Sequence, residues 1–132
     1  MCPIGHNLPM DAKVRIIEYY TTAAGKQPAL SWLSGIKDSL AQAILYKRIQ
    51  QAGLGNFGKT RNVGNGVNEL KIDYGPGYRV YFGVYQDELI LLLVGGTKRT
   101  QHSDIEKARD YWAQWQKEKK LWKQKAYDLK MI

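Results

Sequence analysis

The chain has 132 residues, 44% of them apolar and 24% charged, the size and balance of one globular domain rather than of a disordered or fibrous polypeptide. Its longest purely apolar run, Leu89 to Val94, is six residues, far short of the roughly 20 needed to span a bilayer. Twenty Lys and Arg against twelve Asp and Glu leave a net charge of +8, which suits a polyanionic partner: nucleic acid, a ribosome or an anionic membrane surface.

A single cysteine, Cys2, excludes an intramolecular disulfide, and the start of the chain lacks a charged segment followed by a long apolar core. A reducing, cytoplasmic setting is expected. Cys2, His6 and His102 show none of the paired spacings of a zinc site, so neither a metal nor a cofactor is expected. The charge is unevenly spread. Residues 107–132 hold eight basic and three acidic side chains, whereas residues 1–106 hold 12 and nine. Most of the basic character belongs to the C-terminal tail.

Residues 1–12 carry two prolines and no periodicity, and they read as a flexible leader. Lys13 to Tyr20, β-branched and aromatic, predicts a strand. Pro28 opens a short helix that ends near Gly35. A second helix is predicted from Asp38 to Ala52, with Leu40, Ile44, Leu45, Ile49 and Ala52 on one stripe and Gly53 as its stop. Gly53 to Gly58 matches GxGxxG, but it follows a helix where a dinucleotide fingerprint follows a strand. Residues 53–66 are therefore expected to form a helix cap and loop.

Val67–Tyr74, Gly75-Pro76-Gly77 and Tyr78–Tyr85 read as a β-hairpin. With Tyr74 opposite Tyr78, one face carries Leu70, Ile72, Tyr74, Tyr78, Val80 and Phe82. The other carries Glu69, Lys71, Asp73, Arg79 and Tyr81, the alternation of a half-buried sheet. In this register Asp73 faces Arg79. Glu88–Val94, apolar at nearly every position, predicts an interior strand. Gly95 to Gln101 reads as a polar loop, after which Ser103-Asp104-Ile105-Glu106 forms a capping box. In the helix that follows, Ile105, Ala108, Trp112, Trp115, Lys119, Trp122, Ala126 and Leu129 recur at steps of three and four. Such a seam covers the protein's own sheet, or docks a partner helix or a second copy.

Lys71, Arg79, Lys98 and Arg99 converge where the hairpin meets the polar loop, with Tyr81 on the same face and Gln101 and His102 just beyond. Guanidinium forks hold phosphate oxygens and stabilise charge developing on them. With RNA the ribose 2′-hydroxyl is itself the nucleophile, so a base and an acid suffice. Lysine flanked by cations can serve as the base; Arg99, His102 or a tyrosine can protonate the leaving oxygen. The same residues also admit a bland reading, in which Asp73 pairs with Arg79 and the loop cations are solvated surface. Glu69-Leu70-Lys71 matches the ExK element of metal-dependent nucleases, but no Pro-Asp pair stands upstream.

Gly55-Asn56-Phe57-Gly58, Gly66 to Ile72, Gly75 to Phe82, Leu91 to Gln101 and Asp104 to Ala108 occur in that order. Together they resemble the phage-derived, HigB-like addiction module killer branch of the RelE/ParE toxin superfamily, over about residues 14–110. The resemblance implies an α+β fold: a small antiparallel sheet with an N-terminal helical pair on one face, followed here by a long C-terminal helix. It divides the chain into a leader (1–12), a toxin domain (13–110) and a basic, Trp-rich extension (111–132).

The family further implies a cytoplasmic toxin of a type II toxin–antitoxin system, neutralised by a cognate antitoxin. Operator DNA is then reached only through the antitoxin complex, and no membrane is involved. RelE and HigB members cleave mRNA on the ribosome; ParE members instead inhibit DNA gyrase without nuclease activity. Arg79 matches the arginine of the family's GYR strand and Arg99 that of its GKR loop, while Lys71 matches a strand lysine after a one-residue gap. The family's C-terminal tyrosine has no counterpart, since Ile105 stands there, and His102 is not a family position. The resulting expectation is an endoribonuclease whose site comprises Lys71, Arg79, Lys98, Arg99, Tyr81 and His102. The competing readings are a ParE-like gyrase inhibitor and an inactive antitoxin- and operator-binding module.

Overall fold

A computed structural model describes residues 13–130; the expected leader lies outside them. The elements are β1 (Ile16–Tyr19), α1 (Pro28–Ser34), α2 (Ser39–Gly53), β2 (Thr60–Gly64), β3 (Val67–Ile72), β4 (Tyr78–Tyr85), β5 (Leu89–Thr97) and α3 (Gln101–Lys130). A single 3₁₀ turn at Lys98–Thr100 precedes α3. The fold is α+β, with one five-stranded sheet in the order β1-β5-β4-β3-β2. It is antiparallel except at one edge, where β1 runs parallel to β5. A wholly antiparallel sheet was the expectation. The exception arises because β1 and β5 are joined through both helices and three intervening strands, not through a hairpin.

Two cores flank this sheet. On the first face, Leu70, Ile72, Tyr78, Val80, Phe82, Ile90 and Leu92 pack against Ala29 and Leu33 of α1 and Ala41, Leu45, Ile49 and Ala52 of α2. Burying each of the larger side chains stabilises the fold by about 1.5–3 kcal/mol. Asp38 caps α2, its Oδ1 accepting from the Leu40 and Ala41 N–H groups at 3.0 and 3.2 Å. Leu40, expected on the buried stripe, is 57% exposed; the stripe begins at Ala41. On the second face, Val63, Val67, Tyr81, Leu91, Leu93 and Val94 lie under Ala108 and Trp112 of α3. A bulge helps to build this second core. Tyr81 pairs with Val94 and Phe82 with Leu92, so Leu93 is the extra residue.

Several boundaries differ from expectation. The hairpin register places Ile72, not Tyr74, opposite Tyr78. The loop takes five residues, 73–77, turning on Gly75 and Gly77 at φ 54° and 79°, angles that glycine adopts without steric cost. A shift of two residues preserves the faces and changes the pairs: Lys71 lies opposite Arg79. Asp73 does not face Arg79 but pairs with Lys59 at 2.6 Å and Lys71 at 3.6 Å.

Residues 60–64, read as loop, form the edge strand β2, whose only buried residue is Val63. An edge strand needs little apolar content, which is why its pattern is faint. Asn65 and Gly66, at φ 54° and 83°, supply the hairpin turn that an Asn-Gly pair favours. Gly95–Thr97 are not loop but the end of β5. The capping box forms at Thr97 and Thr100 rather than at Ser103 and Glu106, and Ser103 Oγ donates to the Thr100 carbonyl instead. Among the described residues no helix is long and apolar enough to cross a membrane.

Candidate functional site

Strand register sets two parallel rows of side chains on the second face of the sheet. One row runs Arg61, Glu69, Tyr81, Val94; the other runs Lys71, Arg79, Gly96. Lys59 extends the second row, its carbonyl accepting from the Lys71 N–H at 3.0 Å. Gly96 ends it because a Cβ there would collide with the Asp104 carboxylate and the Thr100 hydroxyl. Helix α3 enters over this point and roofs only the far half of the face. The uncovered half is an open cleft of ≈490 Å³ lined by Lys59, Thr60, Arg61, Glu69, Lys71, Arg79, Lys98 and Gln101.

Glu69 organises the cleft floor. Although only 1% exposed, it accepts from Arg61 Nε at 2.9 Å, Gln101 Nε2 at 2.8 Å and the Tyr81 hydroxyl at 3.1 Å. Arg79 Nε lies 3.5 Å from the same carboxylate. Burial alone pushes the Glu69 carboxyl upward and is the largest single influence. The hydrogen bonds from Arg61, Gln101 and Tyr81, with the Arg61 charge, outweigh it and hold the group below the usual carboxylate range. A charge this deep is tolerated because its oxygens are occupied. Gln101 is the first residue of α3, so the same carboxylate also ties the helix to the sheet.

Arg79 is buried to 5% exposure and bonds the Gly77 carbonyl through Nη1 at 3.1 Å. Its guanidinium is thus fixed between the hairpin loop and Glu69 while lining the cleft. Lys71 and Lys98 line it too, and Asp73, paired with Lys59 and Lys71, is held below its ordinary value chiefly by the hydrogen bond from Lys59.

Of the six residues predicted from sequence, Lys71, Arg79 and Lys98 line the cleft, whereas Arg99, Tyr81 and His102 do not. Tyr81 is fully buried. Its hydroxyl donates to Glu69, and burial followed by the Glu69 charge pushes its pKa well above the ordinary tyrosine value. The His102 side chain is 94% exposed and lies 3.2 Å from Glu106, one helical turn on. Lys59 and Arg61 escaped the sequence reading because β2 was not recognised as a strand. The β-branched Thr60 and Val63, with the Asn-Gly turn following, were the available signal.

The lining residues comprise five cations and one carboxylate, and that carboxylate is engaged from three sides. The arrangement can hold a phosphate or phosphodiester against guanidinium and ammonium groups. No family model matches the chain. An uncharacterized protein of Haemophilus influenzae is 46% identical to it over 79 residues, which take in 60% of this chain and 80% of that protein. The chain belongs to the same family as that Haemophilus protein.

Proposed function

We propose that this protein is a cytoplasmic toxin of a type II toxin–antitoxin pair that stops translation by metal-free cleavage of mRNA on the ribosome. The observation that carries the reading is the pairing of Lys71 with Arg79 across β3 and β4, in a cleft lined by five cations. In this reading Arg79 and Arg61 grip the nonbridging oxygens of the scissile phosphate. Their forks stabilise the charge that builds as the 2′-oxygen attacks. Lys71 or Lys98 takes the 2′-hydroxyl proton, and the other ammonium returns one to the departing 5′-oxygen, leaving a 2′,3′-cyclic phosphate. The resemblance to the RelE/HigB toxins supports the same chemistry, and the antitoxin is the partner it implies.

The exposed residues of the expected set divide differently. In this reading Arg99, exposed and next to Lys98 in the chain, meets phosphates outside the cleft. Expression of the chain in a growing bacterium, with 5′ ends mapped on a reporter mRNA, tests the proposal. Codon-phased cuts that disappear in Arg79→Ala are expected. Growth arrest with DNA breaks and intact mRNA would instead assign a gyrase inhibitor, and unaffected growth would assign a binding module.

A further inference from the structure

Helix α3 outlasts the sheet it covers. Ala108 and Trp112 are buried, whereas Leu121, Trp122, Tyr127 and Leu129 are 56%, 65%, 59% and 71% exposed. Between residues 117 and 130 stand six lysines and two acids. Glu118 and Asp128 accept hydrogen bonds from Gln114 and Gln124, one turn upstream. Among the described residues no lysine of this stretch forms an ion pair. Lysines lie against rings instead. Lys119 Nζ is 5.6 Å from the Trp115 ring centre and 5.8 Å from those of Tyr85 and Trp122, and Lys123 Nζ is 5.1 Å from Tyr85.

We propose that residues 115–130 form an RNA-binding arm, with phosphates on the lysines and unstacked bases on Trp122 and Tyr127. It rests on the part of the preceding reading that makes RNA the target, not on catalysis. Charge complementarity selects the occupant. Lys117, Lys120, Lys123 and Lys125 point in different directions around the helix axis, as suits a strand that wraps. An anionic lipid surface wants a broad apolar face parted from a cationic one; here Lys119 interrupts the apolar stripe, and Leu121 and Tyr127 lie away from Trp122 and Leu129. A second copy would set six lysines against six. Exposed rings interleaved with unpaired cations are instead the pattern of single-strand binding surfaces.

The arm's position relative to the cleft gives it a task. Gln101 lines the cleft, so at about 1.5 Å per residue Lys117 lies about 24 Å along the helix from it, and Lys130 about 43 Å. A long RNA can occupy both places, and a trinucleotide only the cleft. The arm therefore retains a strand whose scissile phosphate sits far away.

The test is fluorescence anisotropy with the full chain and uncleavable 2′-O-methyl RNA, one strand long and one a trinucleotide. Lys117→Gln, Lys120→Gln, Lys123→Gln and Lys125→Gln, all at exposed sites, are combined in one variant. The long strand should bind at least about tenfold more weakly, and its log–log salt slope should fall by about 2–3, at roughly 0.7 per lost phosphate contact. Trp122→Ala should weaken the long strand with the slope unchanged, and trinucleotide binding should survive both variants. Parent-like binding of the long strand by the quadruple variant overturns the arm. So does a variant that loses only affinity for anionic vesicles, or only self-association on sizing. If the quadruple variant loses RNA affinity while the parent leaves mRNA intact, the arm stands and the nuclease reading falls. If the parent cuts mRNA and the quadruple variant binds the long strand like the parent, the reverse holds.

Discussion

The two faces of the central sheet solve the same packing problem with opposite chemistry. On the face toward α1 and α2, Leu70, Ile72, Tyr78, Val80, Phe82, Ile90 and Leu92 form an apolar and aromatic core with the two helices. On the other face, α3 covers one half with Ala108 and Trp112 and leaves the other to charged side chains. Each face also receives a tryptophan over a glycine: Trp32 of α1 sits on Gly95, and Trp112 of α3 on Gly83. A Cβ at either position would run into the ring. The difference is in how burial is achieved. Glu69 and Arg79 are as deeply buried as much of the first core, yet each is buried by hydrogen-bonding and ion-pair partners rather than by apolar contact. The first face is held by apolar packing, whereas the second joins an apolar core under α3 to a charged half fixed by hydrogen bonds and ion pairs.

The comparison is tested first where the effects are largest. Trp112→Ala and Leu45→Ala should each destabilise the fold, by about 3–5 and 2–5 kcal/mol respectively, measured by urea unfolding. Arg79→Ala should reduce mRNA cleavage on the order of 10²–10³-fold, the usual cost of removing a donor aimed at developing charge. If Arg79→Ala instead cleaves like the parent, the cleft half of the second face is structural only. Gly83→Ala and Gly95→Ala should cost about 1–3 kcal/mol each through overpacking. Similar losses at the two positions would show that the Trp-on-Gly contacts are equivalent across the sheet.

Acid titration separates the faces further. The folded-state Glu69 carboxyl is depressed, so its contribution to stability is complete above the ordinary glutamate value. It is lost as the pH falls from there through the depressed value. Asp73 and Asp87 are depressed too and share this acid limb. Glu69→Gln should therefore lower stability at neutral pH and flatten, without abolishing, the fall between those two points in pH-dependent denaturation. The smallest effect is expected at His102→Ala, which removes an exposed i,i+4 pair and should change stability by no more than about 0.5 kcal/mol. Cleavage by that variant at the parent rate would leave the acid–base roles to Lys71 and Lys98.

Much of this arrangement is legible in the linear chain. Alternation in VNELKI and YRVYFGVY separates Leu70, Val80 and Phe82 from Glu69, Lys71, Arg79 and Tyr81. The steps of three and four place Ala108 and Trp112 on the inner side of α3. Asp38 announces the start of α2. Those features depend on the period of a strand or a helix and on local capping, which a sequence carries in full. The cationic character of the second face follows from the same alternation.

What only the tertiary structure decided is which charges meet. Lys59 and Arg61 join the cleft because an edge strand with one inward apolar residue adds itself beside β3, a pairing made by backbone hydrogen bonds. The five-residue turn puts Lys71 across from Arg79, since two glycines at positive φ close it two residues earlier than a tight loop would. Gln101 reaches Glu69 because β5 runs on through Gly95 and Gly96 and delivers the start of α3 over the sheet. Composition supplied the net charge of +8. Register and helix placement gathered five of the cations around one open cleft, because side-chain neighbours across strands are set by pairing and not by distance along the chain.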